Sequence, residues 1–143
     1  MTFGQAVKHV FNNYANFQGR AGRAEFWWFY LFMIIANIIL AIPYIIGIVT
    51  SPKVEISPGV YEMTGLSPLA VIGIIILAIW GLATIIPIIS VSVRRLHDTD
   101  RSGWWWWLNL LFICAIGPII LLVFYILPGT PGPNRFGEGP ATV

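Results

Sequence analysis

Charged side chains are scarce in this sequence. Only 14 of the 143 residues are Lys, Arg, Asp or Glu, or 10%, against about 25% in an ordinary soluble domain. The shortage comes from three uncharged runs of 27, 31 and 33 residues: Phe26–Pro52, Met63–Val93 and Ser102–Asn134. A helix needs about 20 consecutive apolar residues to cross a bilayer. Each run is long enough, so the composition excludes a soluble globular domain.

Cysteine and histidine are also scarce. Cys114 is the single cysteine, which excludes a disulfide scaffold, and 57% of the chain is apolar, which excludes a disordered tail. Cys114 lies in an apolar run where the thiolate is disfavoured, so we expect it to pack rather than react. The spacing of His97, Asp98 and Asp100 does not match a zinc site. No P-loop or hydrolase motif is present, and we expect no metal or cofactor.

The hydrophobic pattern predicts an all-α, polytopic membrane protein with an N-terminal helix and three apolar helical segments. Residues 3–14 carry an apolar stripe at helical spacing, and Thr2 with Gln5 forms a predicted capping box. This helix either lies in the membrane interface or packs on the end of the helix bundle. The first apolar run is too long for a cleaved export signal, so we expect it to remain as a transmembrane helix.

The predicted map is one membrane domain. Its parts are a cytoplasmic amphipathic helix and link at 1–25, transmembrane helices at 26–49 and 66–93, a charged cytoplasmic loop at 94–101, a third apolar segment at 103–127 and a Gly/Pro-rich tail at 128–143. Gly117-Pro118 breaks the third segment. At ~1.5 Å per residue this segment is ~37 Å long, enough for one crossing, which we expect. The alternative is a helical hairpin that returns the tail to the cytoplasmic face.

The basic residues predict the orientation. Three lie in the N-terminal segment, one in the first loop, three in the second loop and one in the tail. The positive-inside rule therefore places the N-terminus and the second loop in the cytoplasm. Aromatic clusters at 26–30 and 104–107 lie beside these basic segments and are typical of the membrane interface. We expect a multipass protein of a bacterial inner membrane.

The strongest candidate site is the charged segment 94–101. Arginine forms bidentate contacts with phosphate, acidic residues can orient the guanidinium groups, and histidine titrates near neutral pH. The simpler interpretation is that these cations fix the topology and complement the dipole of the preceding helix. The predicted lipid- or anion-binding residues are Arg20, Arg23, Arg94, Arg95, His97, Asp98, Arg101 and Arg135.

Three blocks of sequence resemble a known family. They are FQGRAGRAEFW at 17–27, RRLHDTDRSGWW at 94–105 and GTPGPNRFG at 129–137. In order and spacing they are similar to the small bacterial inner-membrane proteins of domain-of-unknown-function family 805, the YhaH/YhaI-like proteins. One departure is Gly22, where the family often has a serine that would cap a helix. The resemblance implies a multipass inner-membrane protein, supplies no biochemical role, and adds Glu25 and Asn134 to the residues of interest.

Three functions remain open. The preferred hypothesis is a non-enzymatic module that binds anionic phospholipid or a partner membrane protein through the arginine cluster, and a homo-oligomer is left open. The net charge of +2 lies beside aromatic belts, so anionic lipid is a better partner than nucleic acid. The alternative is a small oligomeric transporter or channel lined by Asn37, Thr84 and Asn109. A third hypothesis, an enzyme acting on a headgroup, requires His97 and Asp98 as acid–base groups.

Overall fold

The computed structural model describes residues 1–114 and 116–140, without the side chains of 112–114. The prediction for the Cys114 thiol therefore lies outside the described side chains. The elements in chain order are α1 (Phe3–Asn12), α2 (Arg23–Val49), β1 (Lys53–Ser57), β2 (Val60–Met63), α3 (Pro68–Asp98), a 3-10 helix (Gly103–Cys114) and α4 (Ile116–Ile126). They form two compact units, one of Met1–Phe32 with Ile85–Val143 and the other of Met33–Thr84.

The N-terminal helix α1 begins at the predicted capping box. The Thr2 hydroxyl accepts from the Gln5 N–H at 3.4 Å, and the Thr2 N–H donates to the Gln5 side chain at 2.7 Å. The apolar face of α1 packs against the start of α2, where the Phe11 and Phe29 rings lie 5.7 Å apart, edge to face. Of the two positions considered for α1, the structure shows the packed one.

The two long helices are both able to cross a membrane by length and composition. At ~1.5 Å per residue α2 and α3 are ~40 and ~46 Å long, more than the ~30 Å of a hydrocarbon core. Their large apolar side chains are widely exposed, with Ile38 on α2 63% exposed and Leu82 on α3 73% exposed. Such surface suits lipid rather than water. α3 also continues through Arg94–Asp98, which the sequence assigned to a loop, because cations are favoured at a helix C-terminus.

In the second unit, α2 and α3 approach closely at two glycines. A Cβ added to Gly47 would collide with the backbone of Ala70, and one added to Gly73 would lie 2.7 Å from the Cβ of Tyr44. The Ser67 hydroxyl donates to the Gly47 carbonyl at 2.7 Å across the same contact. Small residues allow this close packing in membrane proteins.

The loop between α2 and α3 holds an antiparallel hairpin of β1 and β2 that the sequence analysis did not predict. Every residue of both strands is exposed. The turn contains Gly59 with φ of +78°, a conformation that glycine adopts freely. The missed signal is the pair of short β-branched and aromatic segments on either side of Pro58-Gly59.

The third apolar segment is a helical hairpin rather than the single crossing that its length favoured. The rings of Trp105 on the 3-10 helix and Phe124 on α4 lie 5.4 Å apart, and Gly117 lies against the Leu108 carbonyl. These pairs make the two helices antiparallel. The break near Gly117-Pro118 is confirmed, because the 3-10 helix ends at Cys114 and α4 begins at Ile116. At ~1.5 Å per residue α4 is ~16 Å long, too short to cross alone, and the 3-10 helix is kinked at Leu111.

The glycine contacts can be tested by substitution. We expect Gly73→Ala to destabilise the folded protein by ~1–3 kcal/mol, because the added methyl group overpacks the helix contact. The measurement is thermal unfolding in mild detergent.

The matched control is Gly81→Ala on the same helix, where an added Cβ meets nothing within 4 Å. Equal loss of stability in the two variants would contradict the close contact at Gly73.

Candidate functional site

The centre of the charged site is the carboxylate of Asp98 at the end of α3. Its Oδ1 accepts from Arg20 Nε at 3.0 Å and lies 2.9 Å from Arg20 Nη2, and its Oδ2 accepts from Arg95 Nη1. All three side chains are at least 94% buried. One acidic side chain therefore pairs with two buried cations that come from the N-terminal link and from α3.

The same two arginines hold the C-terminal tail by its backbone. Arg20 Nη1 and Nη2 donate to the carbonyls of Gly132 and Thr130, both at 2.6 Å. Arg95 Nε donates to the Tyr125 carbonyl at 3.1 Å, and its Nη2 donates to Leu127. Every nitrogen of both guanidinium groups thus has an acceptor within the protein. Their donors are used to attach the tail.

Backbone bonds complete this attachment. The Thr130 backbone N–H donates to the Asp98 carbonyl at 2.8 Å, and the side-chain amide of Asn134 donates to the His97 carbonyl at 2.8 Å. These acceptors belong to the last turn of α3, whose carbonyls have no partner within the helix. The tail therefore caps α3 while the arginines bind the tail.

A second ion pair joins α3 to α2. Arg94 Nη1 lies 2.7 Å from Glu25 Oε1, and both side chains are 97% buried. The same Glu25 oxygen accepts from His9 Nδ1 on α1 at 3.0 Å. The backbone carbonyl of Arg94 also accepts from the Ala21 N–H at 2.9 Å. Glu25, which the family resemblance added to the residues of interest, thus connects α1, α2 and α3.

His97 has a positioning contact on each side. Its Nδ1 donates to the Gly19 carbonyl at 3.1 Å, so this nitrogen carries a proton. Its ring stacks on Phe136 of the tail with centroids 3.9 Å apart and planes 3° from parallel. His97 therefore joins the N-terminal link to the tail.

The remaining predicted cations lie at the edge of the cluster. Arg23 is exposed in the first turn of α2. Arg101 is half-buried, with its guanidinium carbon 4.1 Å from the centroid of the Phe124 ring. Arg135 is exposed and pairs with Asp100 at 3.2 Å. Asp100 has a φ of 56°, in the left-handed region that commonly ends a helix.

The structure brings four predicted residues together at the tail: Arg20, Arg95, His97 and Asp98. Arg94, next to Arg95 in α3, forms a separate ion pair with Glu25, and the other predicted residues lie at the edge. The sequence missed His9 and the tail carbonyls. A carboxylate directly before an apolar run, as at Glu25, was the available signal, since it needs a partner when buried.

The polar residues proposed to line a transport path bond to their own helices. Asn37 donates to the Met33 carbonyl at 2.6 Å, and Thr84 donates to the Trp80 carbonyl at 2.7 Å. Asn109 donates to Trp106 at 2.9 Å. Within the described part of the chain, no group of three His, Cys, Asp or Glu side chains could hold a metal ion.

Comparison with known proteins places the chain in a family. The model for a protein of unknown function (DUF805) matches residues 14–138. The chain belongs to the DUF805 family. It is 39% identical over 133 residues to inner membrane protein YhaI of Escherichia coli (strain K12), covering 92% of this chain and 91% of the relative. It is also 39% identical over 131 residues to inner membrane protein YhaH of the same strain, covering 92% of each chain. No solved structure matches it.

Membership of DUF805 confirms the resemblance seen in the three sequence blocks. The relatives are inner membrane proteins, and this chain has two helices able to cross a membrane. It is therefore a bacterial inner-membrane protein with an α-helical membrane domain. The family description carries no enzymatic activity and no ligand.

The buried network can be tested at its centre. We expect Asp98→Asn to cost ~3–5 kcal/mol of stability, because it leaves two buried arginines without a counter-charge. The tail should also become more sensitive to proteolysis after Arg135. Thermal unfolding in detergent and trypsin cleavage rates measure the two effects.

Asp100→Asn is the control. Its pair with Arg135 is exposed, at 46% and 59% of the side chains, and exposed pairs contribute ~0–1 kcal/mol. Asparagine also tolerates the left-handed backbone. If Asp98→Asn were no more harmful than Asp100→Asn, Asp98 would not hold the network together.

Proposed function

We propose that the protein is a non-enzymatic membrane module that binds anionic phospholipid at its cytoplasmic surface. The observation that carries this proposal is a set of cations with no acidic partner. Among the residues that the structure describes, Lys8, Arg23 and Arg101 take part in no ion pair, and the first two are exposed. Anionic lipid attracts such residues by about 1 kcal/mol each.

The distribution of charge supports the cytoplasmic orientation. Residues 1–32 and 85–143 contain seven basic and four acidic side chains, whereas 33–84 contain one basic and two acidic ones. The contacts of Arg20 with Thr130 and Gly132 place the tail with the N-terminal link. Arg135, the basic residue of the tail, is thus counted with the six basic residues of the N-terminal segment and the second loop. The positive-inside rule assigns this surface to the cytoplasm.

Exposed tryptophans support contact with the membrane interface. Trp104 is 78% exposed and Trp107 is 52% exposed, both on the 3-10 helix that follows Arg101. Indole rings concentrate at the level of the lipid headgroups, because one end is apolar and the other is polar. A cation and two rings in this segment suit an anionic headgroup region.

The contacts of His97 and Asp98 argue against acid–base catalysis by this pair. Both carboxylate oxygens of Asp98 are bonded to arginines, and His97 stacks on Phe136. A general base must reach the proton that it abstracts. Asp98 instead serves as the counter-charge of two cations, which supports a structural use of this pair.

The proposal predicts a preference for anionic lipid that depends on three side chains. We expect the purified protein to retain phosphatidylglycerol over phosphatidylcholine, and Lys8→Gln/Arg23→Gln/Arg101→Gln to reduce that preference about tenfold or more. Native mass spectrometry after exposure to an equal mixture of the two lipids measures the ratio.

Lys53→Gln is the control, because Lys53 lies in the hairpin between the two spanning helices. It should leave the lipid ratio unchanged. A triple variant with the wild-type ratio, or a wild type without preference, would refute the proposed function.

A further inference from the structure

Arg94 is a buried cation whose donors are only partly used. It is 3% exposed, and its Nη1 is paired with Glu25. Its Nε and Nη2 are buried and have no hydrogen-bond partner among the residues that the structure describes. Buried polar groups in native proteins are nearly always bonded, and a buried charged donor without an acceptor is especially costly. These two nitrogens therefore require a hydrogen-bond acceptor from outside the described residues.

The two unpartnered nitrogens form one edge of the guanidinium group. The Nε–H and one N–H of Nη2 point in the same direction, so this edge binds oxyanions with two parallel hydrogen bonds. In Arg20 the same edge faces Asp98 Oδ1, at 3.0 Å from Nε and 2.9 Å from Nη2. In Arg95 it is bonded to the carbonyls of Tyr125 and Leu127. The equivalent edge of Arg94 is thus the one whose acceptor is missing from the described protein.

The neighbouring helix start adds positive potential. Phe26 donates to the Gly22 carbonyl at 3.1 Å, which makes Gly22 the residue that caps α2. Glycine has no side chain to bond the first amides of the helix, and a helix N-terminus attracts anions. Glu25 lies in this first turn and holds Arg94 beside it. Arg23, in the same turn, is exposed and carries a further positive charge.

The local charge favours a single negative charge. Arg94 and Arg23 are opposed by one carboxylate, Glu25, which is shared with His9. One added anion would balance the remaining positive charge. A phosphodiester carries one negative charge and presents two oxygens to a guanidinium edge. At a membrane surface, the phosphate of a lipid headgroup is the abundant oxyanion of this kind.

We propose that the Nε–Nη2 edge of Arg94, beside the start of α2 at Gly22, binds a phosphate oxyanion. The inference rests on the proposed function for its choice of a phospholipid headgroup as the first source, and free phosphate is the second. It names a buried site at Arg94, whereas the proposed function rests on Lys8, Arg23 and Arg101, so different variants test the two.

The test follows the Nε–H resonance of Arg94 by NMR in detergent, assigned by its loss in Arg94→Lys. The probes are short-chain phosphatidylglycerol, inorganic phosphate and a short-chain diacylglycerol without phosphate. We expect phosphatidylglycerol to shift this resonance and diacylglycerol to leave it unmoved. A shift with phosphatidylglycerol alone identifies a lipid headgroup, and a shift with inorganic phosphate as well identifies a site for phosphate from either source.

Two variants change the affinity in opposite directions. Arg94→Lys keeps the charge but loses the paired donors, so phosphatidylglycerol should bind about tenfold more weakly. Glu25→Gln keeps Arg94 and removes the opposing charge, so the same lipid should bind several times more tightly. Lys53→Gln should bind as the wild type does. Isothermal titration in the same detergent measures all four proteins, and the indole NMR signals report whether each is folded.

Two results would overturn the inference. One is an Arg94 resonance that neither phosphate-bearing probe moves, and the other is an equal shift with diacylglycerol. If the resonance responds while the triple variant of Lys8, Arg23 and Arg101 keeps its lipid preference, the proposed function fails and the Arg94 site stands. If the triple variant loses its lipid preference while the Arg94 resonance does not shift, the Arg94 site fails and the proposed function stands.

Discussion

The structure of the unit that contains the arginine cluster depends on one carboxylate placed between two buried guanidinium groups. Asp98 holds Arg20 and Arg95, and these arginines hold the backbone of residues 125–132. Desolvating two cations is costly, and the cost is offset when a counter-charge and several carbonyls surround them. The N-terminal link, the end of α3 and the tail are thereby bound to one point. The position of the 3-10 helix and α4 follows from it, since both lie between Asp98 and the attached tail.

The network divides the basic residues by what they do. Arg20 and Arg95 donate their hydrogen bonds within the protein, so their role is structural. The sequence alone could not distinguish this role from ligand binding. Arg94 has one edge bound to Glu25 and another without a partner in the described chain. Lys8, Arg23 and Arg101 have no acidic partner there. A run of cations in a sequence therefore contains three kinds of residue here, and only their contacts distinguish them.

Local patterns in the sequence predicted the helices well. The capping box at Thr2 and Gln5, the two long apolar helices and the break near Gly117-Pro118 all depend on neighbouring residues, and the structure confirms them. The hairpin form of the third segment was only the alternative left open by the sequence, because the tail attachment that accompanies it depends on contacts between residues over 100 positions apart, such as Arg20 and Gly132. The charged site was only partly predictable, because it too depends on contacts between residues far apart in the sequence. Charges in an apolar chain indicated Asp98 and its arginines, but the tail carbonyls carry no signature in the sequence.

The tail contact has a consequence for the order in which the protein folds. A ribosome makes residues 20 and 95–98 before it makes residues 125–132, and Arg20 finds its carbonyl acceptor 112 positions later. During synthesis α2 and α3 can insert in the bilayer while the two arginines still have only Asp98 and solvent as partners. The two arginines therefore obtain their full set of acceptors within the protein only after residues 125–132 have been made.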